Sequence, residues 1–88
     1  MERYLKSIHM IKIYGTKTCS YCIRAKDLCT VNNLPFVEIN ISENEEAKQM
    51  LLENNYKTVP QIWNDEEYIG GYTDLVKYVS GKGTANLV

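Results

Sequence analysis

The sequence predicts an α/β fold in which one mixed, four-stranded sheet is flanked by three or more helices. Two observations support this prediction. Apolar spacing gives the element order strand, helix, strand, helix, strand, strand, helix. The first strand–helix–strand unit requires a parallel pair with a right-handed crossover, whereas the last two strands form an antiparallel hairpin.

The first strand and the first helix follow from alternation and from apolar spacing. Residues 10–14 are β-rich and predict the strand, residues 15–18 form a turn, and a helix is expected over residues 20–32. Two consecutive asparagines end this helix, and Pro35 prevents it from continuing. The apolar stripe that this helix turns towards the core consists of Cys22, Ala25, Leu28 and Cys29.

The second strand and the second helix come next. Residues 36–41 predict a strand in which Phe36 and Val37 are buried and Glu38 lies on an outer face. The sequence Ser-Glu-Asn-Glu at residues 42–45 matches a capping box, so a helix should begin there. Its apolar stripe consists of Ala47, Met50 and Leu51.

The second half of the chain predicts a β-hairpin and a last helix. Residues 59–63 enter the third strand, residues 64–66 form the turn, and residues 67–69 return as the fourth strand. After a Gly-Gly break, Thr73 is a suitable helix N-cap, and Asp74 lies in the first turn, where the helix dipole favours a carboxylate. The buried side of this helix consists of Leu75, Val76 and Val79.

The composition describes one small globular domain. Of 88 residues, 44% are apolar and 24% charged. We expect a short leader over residues 1–9, the domain over residues 10–81 and a loose C-terminal tail over residues 82–88. The net charge of −1 offers no basic face for nucleic acid, and no apolar run approaches the roughly 20 residues of a transmembrane helix. Because the leader lacks the apolar block of a secretory signal, the predicted compartment is the cytoplasm, with neither nucleic acid nor membrane as a partner.

Cys19 and Cys22 are the residues that point to a reaction. Two residues separate them at the junction of the first strand and the first helix, so they lie about one helical turn apart, a spacing that suits a disulfide. Cys19 falls at or just before the helix start, where unpaired N–H groups and the helix dipole stabilise a thiolate. We therefore expect Cys19 to attack disulfides and the more enclosed Cys22 to resolve the mixed disulfide. This placement is typical of a thioredoxin-like redox site.

A zinc site is the alternative use of these thiols. Three cysteines and His9 are numerically enough for a tetrahedral site. The spacing argues against it, because Cys29 lies about two helical turns beyond Cys22, and His9 precedes the strand that Cys19 follows. We expect Cys29 to be a buried small apolar residue and His9 to be exposed.

Four blocks of the sequence resemble the glutaredoxin family, and the resemblance covers nearly all of residues 10–81. The blocks are Thr18-Cys19-Ser20-Tyr21-Cys22, Thr58-Val59-Pro60-Gln61-Ile62-Trp63, Gly70-Gly71-Tyr72 and Thr73-Asp74-Leu75. The resemblance implies a thioredoxin fold with Pro60 as a cis proline facing the active-site cysteines. It implies a glutathione-dependent thiol–disulfide oxidoreductase that acts as a monomer on protein disulfides and glutathionylated proteins, with ribonucleotide reductase as a family-level client.

The resemblance also assigns residues to glutathione, the co-substrate. The backbone at Val59 would pair with the tripeptide as an added strand does. Backbone N–H groups at the start of the last helix would bind its carboxylate, and Asp74 would pair with its α-ammonium group. Arg24 and Lys57 are more simply isolated surface charges than further contacts. The implied set is Lys17, Tyr21, Thr58, Val59, Pro60, Gly71, Tyr72, Thr73 and Asp74.

Two positions depart from the family pattern. Ser20 stands where many dithiol members have proline. Some members with serine there bind a [2Fe–2S] cluster between two subunits, so a glutathione-ligated cluster carrier or scaffold, with Cys19 as the ligand, is the alternative function. Thr16 stands where the family commonly has a basic residue, and Lys17 is the nearest base. A third hypothesis is a thioredoxin-type reductase partner that does not use glutathione, although the block beginning at Thr73 favours glutathione.

Overall fold

The computed structural model describes residues 9–87, with side chains over residues 9–80, so the predicted leader lies outside the described residues apart from His9. Within this range the elements follow in the predicted order. The strands are β1 (Ile11–Gly15), β2 (Phe36–Asn40), β3 (Gln61–Asn64) and β4 (Glu67–Gly70). The helices are α1 (Ser20–Val31), α2 (Glu45–Glu53) and α3 (Tyr72–Leu87). Over these residues, no helix is both long and apolar enough to cross a bilayer.

The four strands form one mixed sheet in the order β2-β1-β3-β4. β1 and β2 are parallel, whereas β1 pairs with β3 and β3 with β4 in antiparallel fashion. This confirms the predicted α/β fold, which is thioredoxin-like. The register places Tyr14 beside Gln61 and Ile62 beside Gly70. The carboxyl ends of β1, β2 and β4 and the amino end of β3 therefore lie at the same end of the sheet.

The core lies between the sheet and the helices α1 and α3. The predicted inward stripes of both helices are confirmed in part: Ala25, Cys29 and Leu75 are fully buried in the core, Leu28 and Val79 are half-buried against it, and Val76 is half-buried outside this cluster. Burying one isoleucine or leucine side chain contributes about 1.5–3 kcal/mol, so the core cluster supplies much of the hydrophobic stabilisation of so small a domain. Its fully buried members are Ile11, Ile13, Ala25, Cys29, Ile62 and Leu75.

Asparagines end both of the first two helices, as predicted for the first. Asn33 and Asn55 follow α1 and α2 in the left-handed conformation, with φ of 56° and 63°. Asparagine adopts this conformation more readily than most residues other than glycine. In each case the preceding asparagine, Asn32 or Asn54, donates its side-chain amide to a carbonyl of the last turn at 2.8 Å.

The predicted start of α2 is wrong by two residues. The N-cap is Asn44, whose Oδ1 accepts the Ala47 N–H at 3.0 Å. Ser42 lies before the helix in an Asx turn, where its N–H donates to Asn40 Oδ1 at 2.9 Å. The sequence allowed a cap at Ser42 or at Asn44, and in the structure Ser42 belongs to the turn while Asn44 caps the helix.

The helix α3 differs from its prediction at both ends. It begins at Tyr72, so Thr73 is the second residue of the helix rather than its N-cap. Asp74 does lie in the first turn. The helix then runs to Leu87, through most of the segment predicted as a tail over residues 82–88. Extending an established helix by one residue costs little, and even a glycine costs only about 1 kcal/mol.

The predictions for β2 and β3 also need correction. In β2, which lies at the edge of the sheet, Val37 is 41% exposed rather than buried, and Phe36 is only half-buried against the core. The third strand begins at Gln61 rather than at Val59, since Pro60 has no N–H to donate to the ladder.

The sheet face opposite the core carries an aromatic cluster, defined here as Tyr14, Tyr56, Trp63 and Tyr68. The centroids of the Tyr14, Tyr56 and Tyr68 rings lie 5.2, 5.6 and 4.9 Å from that of Trp63. The Tyr56 and Tyr68 rings stack at 4.9 Å. Strand alternation places Tyr14 and Trp63 on the face away from the buried isoleucines of β1 and β3. Trp63 is therefore half-buried in this cluster rather than in the main core.

Asn64, which is 4% exposed, joins the segment before β1 to the hairpin and to α3. Its Oδ1 accepts the backbone N–H groups of His9 at 2.9 Å and Met10 at 3.3 Å. Its Nδ2 donates to the Tyr78 hydroxyl at 3.0 Å, and that hydroxyl donates to Glu67. His9 itself is exposed, as predicted.

Candidate active site

Cys19 is the N-cap of α1, which confirms its predicted placement. Its backbone is extended, with φ −86° and ψ 113°, and its Sγ accepts the Cys22 N–H at 3.0 Å. In this position the sulfur faces the unpaired N–H groups of the first helical turn. Those groups and the helix dipole stabilise a negative charge on the sulfur once the thiol ionises.

Cys22 lies one turn into α1 and forms a disulfide with Cys19. The two Cα atoms are 5.2 Å apart, within the range of protein disulfides, and Cys22 is only 1% exposed. Gly15 makes room for this sulfur: a Cβ at Gly15 would overlap Cys22 Sγ and lie 3.1 Å from Cys22 Cβ. The sequence reasoning took Gly15 for a turn residue and missed this role. The available signal was a glycine at the end of the strand that leads to the dithiol.

Residues 58–60, which we name the cis-proline loop, face Cys19 from across the site. The peptide bond between Val59 and Pro60 is cis, as the resemblance implied. The Val59 carbonyl oxygen lies 3.8 Å from Cys19 Sγ. Among the described residues, nothing accepts a hydrogen bond from the Val59 N–H. A short stretch of backbone with an available donor therefore lies beside the more exposed sulfur.

A cleft of about 180 Å³ opens next to this loop. The rings of Tyr21 and Tyr72 line it, with centroids 5.7 Å apart. Arg24 is not an isolated charge, because its guanidinium carbon lies 5.2 Å from the centroid of the Tyr21 ring, in cation–π contact. The full lining is Tyr21, Thr58, Val59, Pro60, Gly71, Tyr72 and Thr73. All seven belong to the set that the resemblance assigned to glutathione.

The start of α3 forms the side of the cleft opposite the loop. The Asp74 carboxylate accepts the Gly71 N–H at 3.0 Å, which is the returning bond of a capping box. Gly70 has φ +129°, and a Cβ there would collide with that carboxylate. The glycine therefore lets Asp74 lie against the backbone. The carboxylate is exposed, so it can take a second partner.

Lys17, which the resemblance also assigned to glutathione, does not line the cleft. Its ammonium nitrogen lies 3.7 Å from the Glu43 carboxylate, and both side chains are largely exposed. Ion pairs of this kind contribute only about 0–1 kcal/mol, so Lys17 is held weakly. Lys57 is exposed and also lies outside the lining residues.

The third cysteine, Cys29, belongs to the core and not to the site. It is fully buried, and burial raises the pKa of its thiol to about 11. At neutral pH the thiol stays protonated, so Cys29 is a poor nucleophile. Over the residues whose side chains the structure describes, no group of three or more His, Cys, Asp or Glu is placed to hold a metal ion.

These features together describe a site for thiol–disulfide exchange. One sulfur is partly exposed at a helix N-terminus, a position that favours the thiolate once the disulfide is reduced, and the second is buried within bonding distance of it. The second sulfur can close a disulfide as a bound partner leaves. The fold and the site define a dithiol oxidoreductase with a thioredoxin-like fold.

Comparisons with known proteins specify the family. The sequence profile of the Glutaredoxin family matches residues 11–69. Glutaredoxin 3 of Escherichia coli is 39% identical over 66 residues, which cover 74% of this chain and 80% of that protein. The crystal structure of Glutaredoxin 1 from Francisella tularensis, complexed with cacodylate, has a TM-score of 0.70 at 32% identity and covers 85% of this chain and 96% of that one. A buckwheat glutaredoxin–glutathione complex shares the fold, with a TM-score of 0.68 at 22% identity over 82% of this chain and 70% of that one. The chain belongs to the glutaredoxin family and is a thiol–disulfide oxidoreductase.

Proposed function

We propose that this protein uses glutathione to reduce protein disulfides and the mixed disulfides of glutathionylated proteins. The cleft beside Cys19 is the observation that carries this proposal. A γ-glutamyl tripeptide offers a peptide backbone, a carboxylate beside an ammonium group, and a thiol. The cleft offers a counterpart for each, in the Val59 backbone, the start of α3 with Asp74, and the Cys19 sulfur.

In this proposal glutathione binds as a short added strand. The cysteinyl backbone of the ligand would accept the Val59 N–H and donate to the Val59 carbonyl oxygen. Because that oxygen lies 3.8 Å from Cys19 Sγ, such pairing would carry the ligand sulfur to the nucleophile. The γ-glutamyl carboxylate would accept N–H groups at the start of α3, and its ammonium group would pair with the exposed Asp74 carboxylate. Lys17 would offer its ammonium to the remaining carboxylate by leaving its weak pair with Glu43.

The reductive half-reaction begins with the Cys19 thiolate. It attacks one sulfur of a protein disulfide, so that a Cys19–substrate disulfide forms and the other substrate sulfur leaves as a thiolate. Cys22 then loses its proton and attacks Cys19 Sγ, which releases the second substrate thiolate. The substrate gains two electrons, and the protein is left with the Cys19–Cys22 disulfide seen in the structure.

Two glutathione molecules restore the dithiol. The first attacks Cys19 Sγ as a thiolate, which forms a Cys19–glutathione disulfide and returns Cys22 as a thiolate that takes up a proton. The second attacks the glutathione sulfur of this adduct, which releases glutathione disulfide and the Cys19 thiolate. The same last step completes the reduction of a glutathionylated protein, and Cys22 is not needed there.

The difference between the two thiols gives the test. With glutathione as the electron donor, Cys19→Ser should abolish turnover of every disulfide substrate. Cys22→Ser should lose the reduction of protein disulfides that need a resolving thiol and retain the reduction of glutathione mixed disulfides. If Cys22→Ser were inactive towards mixed disulfides while Cys19→Ser kept turning over, the assignment of the nucleophile would be wrong.

The electron source separates this proposal from that of a thioredoxin-type protein. Reduction of the Cys19–Cys22 disulfide is measured with glutathione and glutathione reductase in one arm and with thioredoxin reductase in the other. We expect turnover in the first arm. Turnover in the second arm alone would show that the cleft does not serve glutathione.

We further propose that the protein acts as a cytoplasmic monomer. Nucleophile and resolving thiol lie in one chain with Cα atoms 5.2 Å apart, so the cycle needs no second copy. Ribonucleotide reductase remains a client suggested by the family resemblance alone. The alternative of a glutathione-ligated [2Fe–2S] carrier finds no support in the comparisons, and we do not propose it.

A further inference from the structure

A buried amide joins the cis-proline loop to the rest of the sheet. Gln61, the first residue of β3, is only 6% exposed. Its Nε2 donates to the Thr58 carbonyl oxygen at 2.9 Å and to Thr58 Oγ1 at 3.2 Å. Its Oε1 accepts the hydroxyl of Tyr68. Both ends of the amide are thus satisfied, one by the loop and the other by β4.

Tyr68 is held in turn by the aromatic cluster. Its ring stacks on Tyr56 and meets the edge of Trp63, with centroids 4.9 Å away in both cases. Trp63 is its cross-strand partner, beside a β-bulge that shifts the register of β3 against β4. Tyr56 lies two residues before Thr58, and Trp63 lies three residues after Pro60. The cluster therefore anchors the chain on both sides of the loop.

We propose that Gln61 and Tyr68 are positioning residues that set the affinity for glutathione by holding the loop backbone at Val59 in its binding conformation. This inference rests on the proposed function, because its readout is the binding of glutathione. Neither residue lines the cleft, although Thr58, which they hold, does. Binding to a segment that is already ordered avoids the loss of conformational entropy that a mobile segment would pay.

The Tyr68 hydroxyl stays protonated at neutral pH, as its hydrogen bond to Gln61 requires. Burial, the nearby Tyr56 and the nearby Asp74 all raise the pKa of Tyr68. The hydroxyl therefore keeps its proton at neutral pH and continues to donate to Gln61.

The test compares two phenylalanine variants by calorimetric titration of the reduced protein with reduced glutathione. Tyr68→Phe keeps the stacked ring and removes the donor to Gln61. Tyr56→Phe is the matched control, because its ring stays in the same cluster and its hydroxyl makes no hydrogen bond among the described residues. We expect Kd for glutathione to rise about two- to fivefold in Tyr68→Phe, as for the loss of one hydrogen bond, and to stay at the wild-type value in Tyr56→Phe.

A second variant and a second measurement keep the positioning role distinct from a structural one. Gln61→Met should raise Kd further, about five- to tenfold, because it removes both ends of the bridge. The alkylation rate of reduced Cys19 should stay unchanged in all three variants. In ligand-free protein, the amide NMR signals of Thr58 and Val59 should shift in Tyr68→Phe and stay in place in Tyr56→Phe.

The outcomes separate the two proposals. If the wild-type protein binds glutathione and Tyr68→Phe binds it equally well, the inference about Tyr68 and Gln61 is overturned and the proposed function stands. Equal weakening by Tyr68→Phe and Tyr56→Phe would also overturn it, because the ring cluster and not the hydrogen bond would then be responsible. If the wild-type protein does not bind glutathione at all, the proposed function fails and the inference fails with it.

Discussion

Replacing Gly15 with alanine should destabilise the protein through a single added carbon. That carbon would overlap Cys22 Sγ and lie 3.1 Å from Cys22 Cβ. Neither side has room to yield, because both residues are buried and the Gly15 carbonyl accepts the Ile41 N–H at 2.9 Å. Overpacking costs about 1–3 kcal/mol, whereas the stiffer unfolded chain of an alanine variant offsets about 0.4–1 kcal/mol. We expect the free energy of unfolding to fall by about 1–2 kcal/mol, with about 4–8 °C in Tm for each kcal/mol.

The assay is urea unfolding in excess reductant, with four proteins in a double-mutant cycle. The wild type, Gly15→Ala, Cys22→Ala and the double variant are compared, because Cys22→Ala removes the sulfur that the new carbon would meet. In that background Gly15→Ala should cost at least about 1 kcal/mol less than it does in the wild type. An equal cost in both backgrounds would show that the Gly15–Cys22 contact is not the cause. A wild-type midpoint for Gly15→Ala alone would refute the packing argument altogether.

Three further predictions concern a thiol, a cap and a buried amide. The thiol of Cys29 has its ordinary pKa of 9.0 raised to about 11 in the folded protein. The unfolded chain therefore releases this proton first as the pH rises, and the free energy of unfolding should fall between about pH 9 and pH 11. Cys29→Ala should show a smaller fall in urea midpoints across that interval, and an equal fall would contradict the assignment. Asp74→Asn keeps an acceptor for the Gly71 N–H, so it should lower Tm only slightly while it raises Kd for glutathione about fivefold or more, because the paired charge is lost. Asp74→Ala should lower Tm clearly and also raise Kd for glutathione. Equal losses of Tm in Asp74→Asn and Asp74→Ala would rule out the capping role. Asn64→Ala should cost about 1–3 kcal/mol in thermal unfolding, because it leaves two partly buried N–H groups and the Tyr78 hydroxyl without their partner, and a loss under about 0.5 kcal/mol would contradict the bridging role.

The sequence predicted the architecture well because hydrophobic periodicity extends over a whole helix or strand and does not depend on any single residue. The order of strands and helices determines the crossover and the hairpin, and these leave few ways to build one sheet. The exact helix starts depended on short-range competition that a pattern does not resolve. Ser42 and Asn44 both begin plausible caps, and only the Asx turn at Asn40 decides between them. At α3 the capping box begins with Gly71, and a glycine has no side chain that would identify it as an N-cap in the sequence.

The candidate site divides in the same way. Residue chemistry alone identified Cys19 and Cys22, because spacing and placement at a helix start determine what two thiols can do. The residues that line the cleft came from the family resemblance, and the structure brings seven of them together. The supporting residues could not be predicted. Gly15 matters because of the space beside Cys22, and Gln61 matters because of a hydroxyl seven residues further along the chain.

Every group assigned to the chemistry lies at one end of the sheet. Cys19 follows β1, the cis-proline loop precedes β3, and the start of α3 follows β4. Among the described residues, the other end of the sheet carries connections, including the hairpin turn at Asp65, with φ 54°. A library that varies these connections but keeps Asn64 and its hydrogen-bond partners can therefore add epitopes, tags or new recognition loops at a distance from the redox centre.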